Sequence, residues 1–109
     1  MSPSLPLQHI LHELVGALAQ EYGSRLKGVR LYGSHARGDA SAGSDIDVAI
    51  ILDDFAAAGD EISRCAPLAA RLSLQYHCVL SLLPIREHDW HTRQTPLLLN
   101  VRREAIPVS

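Results

Sequence analysis

Val48-Ala-Ile-Ile-Leu52 is an unbroken apolar run rich in β-branched residues, and it is entered through Ser44-Asp-Ile-Asp47. A run this short with polar residues before it reads as a buried strand rather than a helix segment. Side chains two apart on a strand share a face, so Asp45 and Asp47 converge at the strand's head while Ile46 and Val48 turn toward the core. Two carboxylates side by side repel, and an unmetallated pair raises one of its own pKa values. A cation relieves that repulsion. Mg²⁺ takes oxygen ligands, usually one or two carboxylates with waters and substrate phosphates completing its shell, and an acid pair at a strand head offers such an incomplete shell.

The preceding segment supplies an anion-facing counterpart. Val29-Arg-Leu-Tyr32 alternates as a short strand, and Gly33-Ser34 ends it at a turn where glycine lets a ligand approach the backbone. His35-Ala-Arg37 then opens a helix, whose unpaired N–H groups and dipole favour a phosphate, and Ser34 adds a hydroxyl donor. Arg37 is poorly placed for the dipole of a first turn, so it is expected to face either the phosphates or the two aspartates. Asp39-Ala-Ser-Ala-Gly43 carries the chain back as a loop. A glycine-serine turn or an Asp-x-Asp at a strand end is commonplace alone. Joined at this spacing, the two read as a seat for a nucleoside triphosphate and its divalent cations.

The run Gly33-Ser-His-Ala-Arg-Gly38 followed by Ser44-Asp-Ile-Asp-Val48 resembles the signature of the DNA polymerase β nucleotidyltransferase superfamily, and within it the minimal nucleotidyltransferase (MNT) type. The order of elements agrees along nearly the whole chain, including the closing stretch Asn100-Val-Arg-Arg-Glu-Ala-Ile106. The resemblance implies an α/β (α+β) nucleotidyltransferase fold, a small mixed β-sheet with helices packed mainly on one side, as a single domain over residues 1–109. It implies Gly33, Ser34 and Ser44 as nucleotide-binding residues and Asp45 and Asp47 as ligands of two Mg²⁺ ions. Asp45, Asp47 and Arg37 become the catalytic set, acting on a nucleoside triphosphate, ATP foremost, by the two-metal scheme for in-line displacement. A HEPN-type partner protein carrying the acceptor hydroxyl follows from the same analogy, since MNT proteins often act as antitoxins in such pairs.

One departure stands out. Active members of the superfamily bring a third carboxylate from a neighbouring strand, and the candidate strand here, His77-Cys-Val-Leu-Ser-Leu-Leu83, contains no acid. Ser81 is the polar residue nearest the expected place. Glu87 and Asp89, beyond Pro84, or a partner, are the alternative sources of the missing group, whereas Asp53 and Asp54 sit at the far end of their own strand. Loss of a general base costs roughly 10²–10⁴ in rate. Two readings therefore stand: a Mg²⁺-dependent nucleotidyltransferase, or a catalytically weak or inactive nucleotidyltransferase-fold module that neutralises a HEPN-type toxin by complex formation. A transferase for small molecules fits less well, because such relatives carry an added domain for the acceptor.

Composition agrees with a small globular domain. The chain has 109 residues, 47% of them hydrophobic, and a mean hydropathy of +0.04, apolar enough to suggest a protein partner or a homo- or hetero-oligomer. A net charge of −2 gives no general basic field, which argues against an extended nucleic-acid substrate. The two cysteines, Cys65 and Cys78, are too few and too separated for a zinc site or a disulfide framework and read as buried free thiols of a reducing compartment. No basic segment followed by an apolar stretch opens the chain, and no apolar run reaches the roughly 20 residues of a membrane span. The expected location is the cytoplasm, without membrane association.

Met1 to Pro6 is expected to fray. Leu7 to Tyr22 has helical spacing, with Ile10, Leu11, Leu14, Val15 and Leu18 on one side and Gly23-Ser24 as its end. A second helix is expected over Glu61 to Gln75, its Ile62, Cys65, Leu68, Ala69 and Leu72 facing the sheet and Pro67 kinking it or shifting its start. A strand over His77 to Leu83, a short helix through Trp90 and a last helix from Pro96 to about Glu104 complete the prediction. His9 with His12, and His88 with His91, have helical spacing but no adjacent third ligand, so helix surface is the simpler reading. Tyr76 and Trp90 read as packing residues rather than base stackers, and Arg102-Arg103 as a solvated helix face. Leu97-Leu-Leu99 with Val101 and Ile106 is more apolar surface than a terminal helix needs, a candidate partner face.

Overall fold

The computed structural model describes residues 5–41 and 43–108, the side chain of Leu5 excepted. Helix α1 (Leu5–Tyr22) buries Leu7, Ile10, Leu11, Leu14 and Leu18 along one stripe. Its start is earlier than predicted. Pro6 falls in the first turn, where a missing N–H forfeits no hydrogen bond, so Leu5 and Pro6 are helical rather than frayed; residues 1–4 of that expectation lie outside the described residues. Gly23, at φ +56°, turns the chain through a 3-10 segment into β1 (Leu26–Tyr32).

After β1 come α2 (Ser34–Arg37), β2 (Ile46–Leu52), α3 (Ala58–Tyr76), β3 (Leu80–Arg86), α4 (Glu87–Thr92), α5 (Pro96–Glu104) and a two-residue β4 (Ile106–Pro107). The sheet order is β3-β2-β1-β4, with β2 antiparallel to β1 and parallel to β3, and β4 antiparallel to β1. This is the mixed sheet expected.

Alternation along β2 sorts the two faces. Ile46, Val48, Ile50 and Leu52 join the main core with the buried stripes of α1 and α3, while Ala49 joins a smaller cluster with Ile85, Leu98 and Val101 on the other face. The two long helices thus cover one face. The short α5, with Trp90 of α4, covers part of the other and leaves the head of β2, where Asp47 sits, outside the second cluster.

Three elements differ from the sequence prediction. His77 adopts a left-handed conformation (φ 53°) that ends α3, so β3 begins at Leu80, three residues later than expected, and runs through Pro84. An edge strand tolerates that proline because one side of its ladder has no partner to lose. Helix α3 passes Pro67 without ending and begins at Ala58; its buried positions are Glu61, Cys65 and Leu72, whereas Ile62 is 47% exposed. Glu61 is buried because the Tyr22 hydroxyl donates to it at 3.1 Å, with Cys65 Sγ 3.3 Å from the same hydroxyl. Arg102, expected in solvent, instead donates to the backbone carbonyls of Asp89 and Trp90 at 3.3 and 2.7 Å and so ties α5 to α4. Cys65 and Cys78 are free thiols; Cys65 is buried as predicted, whereas Cys78, just past the end of α3, is only half-buried. No described helix is long and apolar enough to cross a membrane.

Candidate active site

The end of β1 and the head of β2 meet across the sheet. Tyr32 pairs with Asp47, and Asp47 pairs in turn with Ser81 of β3, so three side chains from adjacent strands form one row. Gly33 follows Tyr32 at φ +77°, ψ −157°, a conformation open to glycine and strained for other residues. Its missing side chain is also a matter of space. A Cβ there would collide with a carboxylate oxygen of Asp47 and lie 3.1 Å from that residue's Cγ.

From Gly33 the chain enters α2, whose first bonds run from the Ala36 and Arg37 N–H groups to the Gly33 carbonyl, both at 3.1 Å. Gly38, left-handed at φ +83°, closes the helix after four residues. His35 reaches the Ser44 carbonyl with Nε2 at 3.3 Å, fastening α2 to the residue before Asp45. Ser44 turns its hydroxyl to the Ser41 N–H at 2.9 Å, closing the return loop. An open cleft of about 570 Å³ adjoins this corner, lined by His35, Ser44, Ile46, Ser73, His77 and Val79.

Asp45 is exposed and Asp47 half-buried. Burial pushes the Asp47 carboxyl above the usual carboxylate range, the negative charges of Asp45 and Glu104 add to that shift, and His35 and Arg37 oppose it. Burial with the neighbouring Asp47 and Glu104 carboxylates likewise pushes the Tyr32 hydroxyl up to about 12. The cluster therefore holds excess negative charge, and a divalent cation fits that chemistry. A cation here would be held by Asp45 and Asp47.

The expected site residues are brought together at one corner, with two qualifications. Arg37 makes its hydrogen bonds to Asp39 Oδ2 and Glu104 Oε2, both at 3.1 Å, rather than to Asp45 or Asp47. Neither Glu87 nor Asp89 replaces the third carboxylate. They follow Arg86, which pairs with Leu52 at the opposite end of β2, five residues and roughly 17 Å from Asp47. Asp89 is instead 3.5 Å from Arg86 and 3.7 Å from Arg93. Asp53 and Asp54 stand at that far end too, against Arg25 and Arg86.

The acid that does approach the corner is Glu104, which sequence reasoning missed. Its Oε1 accepts the Gly33 N–H at 2.9 Å while Oε2 holds Arg37. One sequence signal could have found it: a carboxylate at the C-terminal end of a helix opposes the dipole, where a base would be favoured.

Residues 11–96 match the sequence profile described as a nucleotidyltransferase domain. The Methanocaldococcus jannaschii protein named "Putative protein adenylyltransferase MJ0604" is 38% identical over 74 residues, covering 67% of this chain and 67% of that protein. Among solved structures, a toxin-antitoxin crystal structure with AMP-PNP superposes with a TM-score of 0.65 at 21% identity, covering 91% of this chain and 72% of that one. The structure of tri-AMPylated Shewanella oneidensis HEPN toxin in complex with MNT antitoxin gives a TM-score of 0.58 at 20% identity, covering 94% and 71%. The structures share the fold, and the profile with the 38% identity establishes descent: the chain belongs to the nucleotidyltransferase domain family.

Proposed function

We propose that this protein transfers a nucleoside monophosphate, AMP foremost, from a triphosphate to a hydroxyl on a HEPN-type partner protein. The observation that carries this reading is the contact between Gly33 and Asp47, which sets the glycine-serine corner directly against the acid pair. Gly33 and Ser34 would hold the triphosphate, with Ser44 shaping the adjoining loop. Asp45 and Asp47 would hold two Mg²⁺ ions. Bound there, the ions would activate the attacking hydroxyl and stabilise the charge on the leaving group. The acceptor oxygen bonds to the α-phosphorus as the bond to the bridging oxygen breaks and pyrophosphate departs. Arg37 would offset charge developing at the phosphates.

Support for AMP comes from the adenylyltransferase name of the M. jannaschii relative, and for the partner from the AMPylated HEPN toxin in the similar complex. A second reading rests on Ser81. The position paired with Asp47 on β3 carries a hydroxyl in place of an acid, which favours a module that neutralises a HEPN-type toxin by covering it, with weak or no transfer.

Incubation with labelled ATP, GTP, CTP and UTP, Mg²⁺ and the protein encoded beside it separates the two. Label on the partner, strongest with ATP and lost in Asp45→Ala and Asp47→Ala, supports transfer. Toxin inhibition that survives both substitutions, without label, supports covering alone.

A further inference from the structure

Glu104 occupies a position with little to recommend it electrostatically. It is the last residue of α5, where the helix dipole disfavours an acid, and it follows Arg102 and Arg103, which suit that end. It also lies near enough to Asp47 and Tyr32 to act on both. Yet its side chain is only 24% exposed, and each carboxylate oxygen has its own donor.

Those donors belong to the corner described above. Gly33 lies one residue past the end of β1, and Glu104 Oε1 accepts its N–H. Arg37 is gripped between Glu104 and Asp39, and Asp39 is itself well exposed. Helix α5 is a firm base for this grip. Leu98 and Val101 are buried, the Thr95 side chain accepts the Leu98 N–H at the helix start, and Arg102 binds the carbonyls of α4. A charge-assisted pair of bonds from a fixed helix sets the geometry of both groups at once.

We propose that Glu104 is a positioning residue of the nucleotide site, holding the Gly33 turn and the Arg37 guanidinium in the arrangement that receives the triphosphate. This rests on the nucleotidyl-transfer reading above. Glu104 touches neither nucleotide nor acceptor in this role; it acts through Gly33 and Arg37.

The test is calorimetric titration with Mg²⁺ and AMP-PNP. Glu104→Ala removes both bonds and weakens binding about tenfold or more; Glu104→Gln keeps an oxygen for the Gly33 N–H and weakens it by only about threefold. Arg103→Ala, on the same helix end with its guanidinium on Asn100, binds as wild type. In an Arg37→Met background, Glu104→Ala costs clearly less than in the wild type, a coupling that a purely structural role would not produce. Should Glu104→Ala fail to fold, the near-isosteric Glu104→Gln carries the same test, its cost disappearing in the Arg37→Met background. Wild-type affinity in both Glu104 variants, or costs that simply add to that of Arg37→Met, would overturn the proposal. Failure of the wild type to bind Mg²⁺–AMP-PNP at all would instead overturn the nucleotidyl-transfer reading, and this inference with it.

Discussion

The backbone of Gly33 and the carboxylate of Asp47 are in contact, so that no side chain can be added at the first without displacing the second. Two motifs separated in the chain by the return loop thereby meet at one corner of the sheet. Gly33→Ala meets both a strained φ of +77° and the collision with Asp47, and is expected to cost about 1–3 kcal/mol of stability. Transfer should fall further than stability accounts for, by about 10²-fold. Denaturant unfolding alongside the labelled-ATP assay checks both, and normal activity in the Gly33→Ala variant would show that the contact is incidental.

Asp47 makes the unliganded protein less stable as an ionised group. Its folded-state pKa is raised by burial and by Asp45 and Glu104, against the opposing pull of His35 and Arg37. A carboxyl raised in this way contributes stability that is complete below its unfolded pKa, about 3.9, and is lost as pH rises through the folded value. Asp47→Asn, permanently neutral, is therefore expected to melt higher than wild type at pH 7 in EDTA. The advantage should vanish on acidification below about pH 4. A variant that melts lower at pH 7 would mean the carboxylate stabilises the empty fold.

Ser81 stands opposite Asp47 on the neighbouring parallel strand and is exposed. Ser81→Asp would place an acid near the position where the superfamily resemblance implies one. If an absent general base limits the rate, transfer to the partner should rise by at least about tenfold, within the range such groups contribute. No gain in initial rates would mean that another group already serves.

Tyr22 links α1 to α3 through the buried Glu61, at 3.1 Å. Tyr22→Phe leaves that carboxylate with Arg64 at 3.9 Å as its remaining ion-pair partner, and is expected to destabilise by about 1–3 kcal/mol. Urea unfolding with an unchanged m-value is the check. Nucleotide binding should be unaffected, because this bond lies on the face of the sheet opposite Asp47.

Local pattern made much of this legible. The apolar stripe of α1, the run Val48 to Leu52 and the Pro96 start of α5 were readable because each is a periodic signal with a recognisable boundary. The boundaries of β3 were not, since Pro84 argues against a strand until the edge position is known, and His77 ends α3 in a left-handed conformation that the sequence does not announce. Ile62 fits the apolar spacing of α3 yet faces solvent, while Glu61 is inside, because the Tyr22 hydroxyl at a distance of 39 residues decides it. The same applies to the site. Gly33-Ser34 and Asp45-x-Asp47 are local patterns visible in the sequence; Glu104 reaches Gly33 across 71 residues, and although it lies in the closing stretch Asn100–Ile106, only the fold shows that contact.

The most direct measurement is Mn²⁺ binding followed by electron paramagnetic resonance, with and without AMP-PNP, in wild type, Asp45→Asn and Asp47→Asn. Wild type should bind Mn²⁺ more tightly when the nucleotide is present, and each substitution should abolish that gain. Equal Mn²⁺ and nucleotide binding in all three proteins would contradict a cation held between this acid pair and a triphosphate on the Gly33-Ser34 corner.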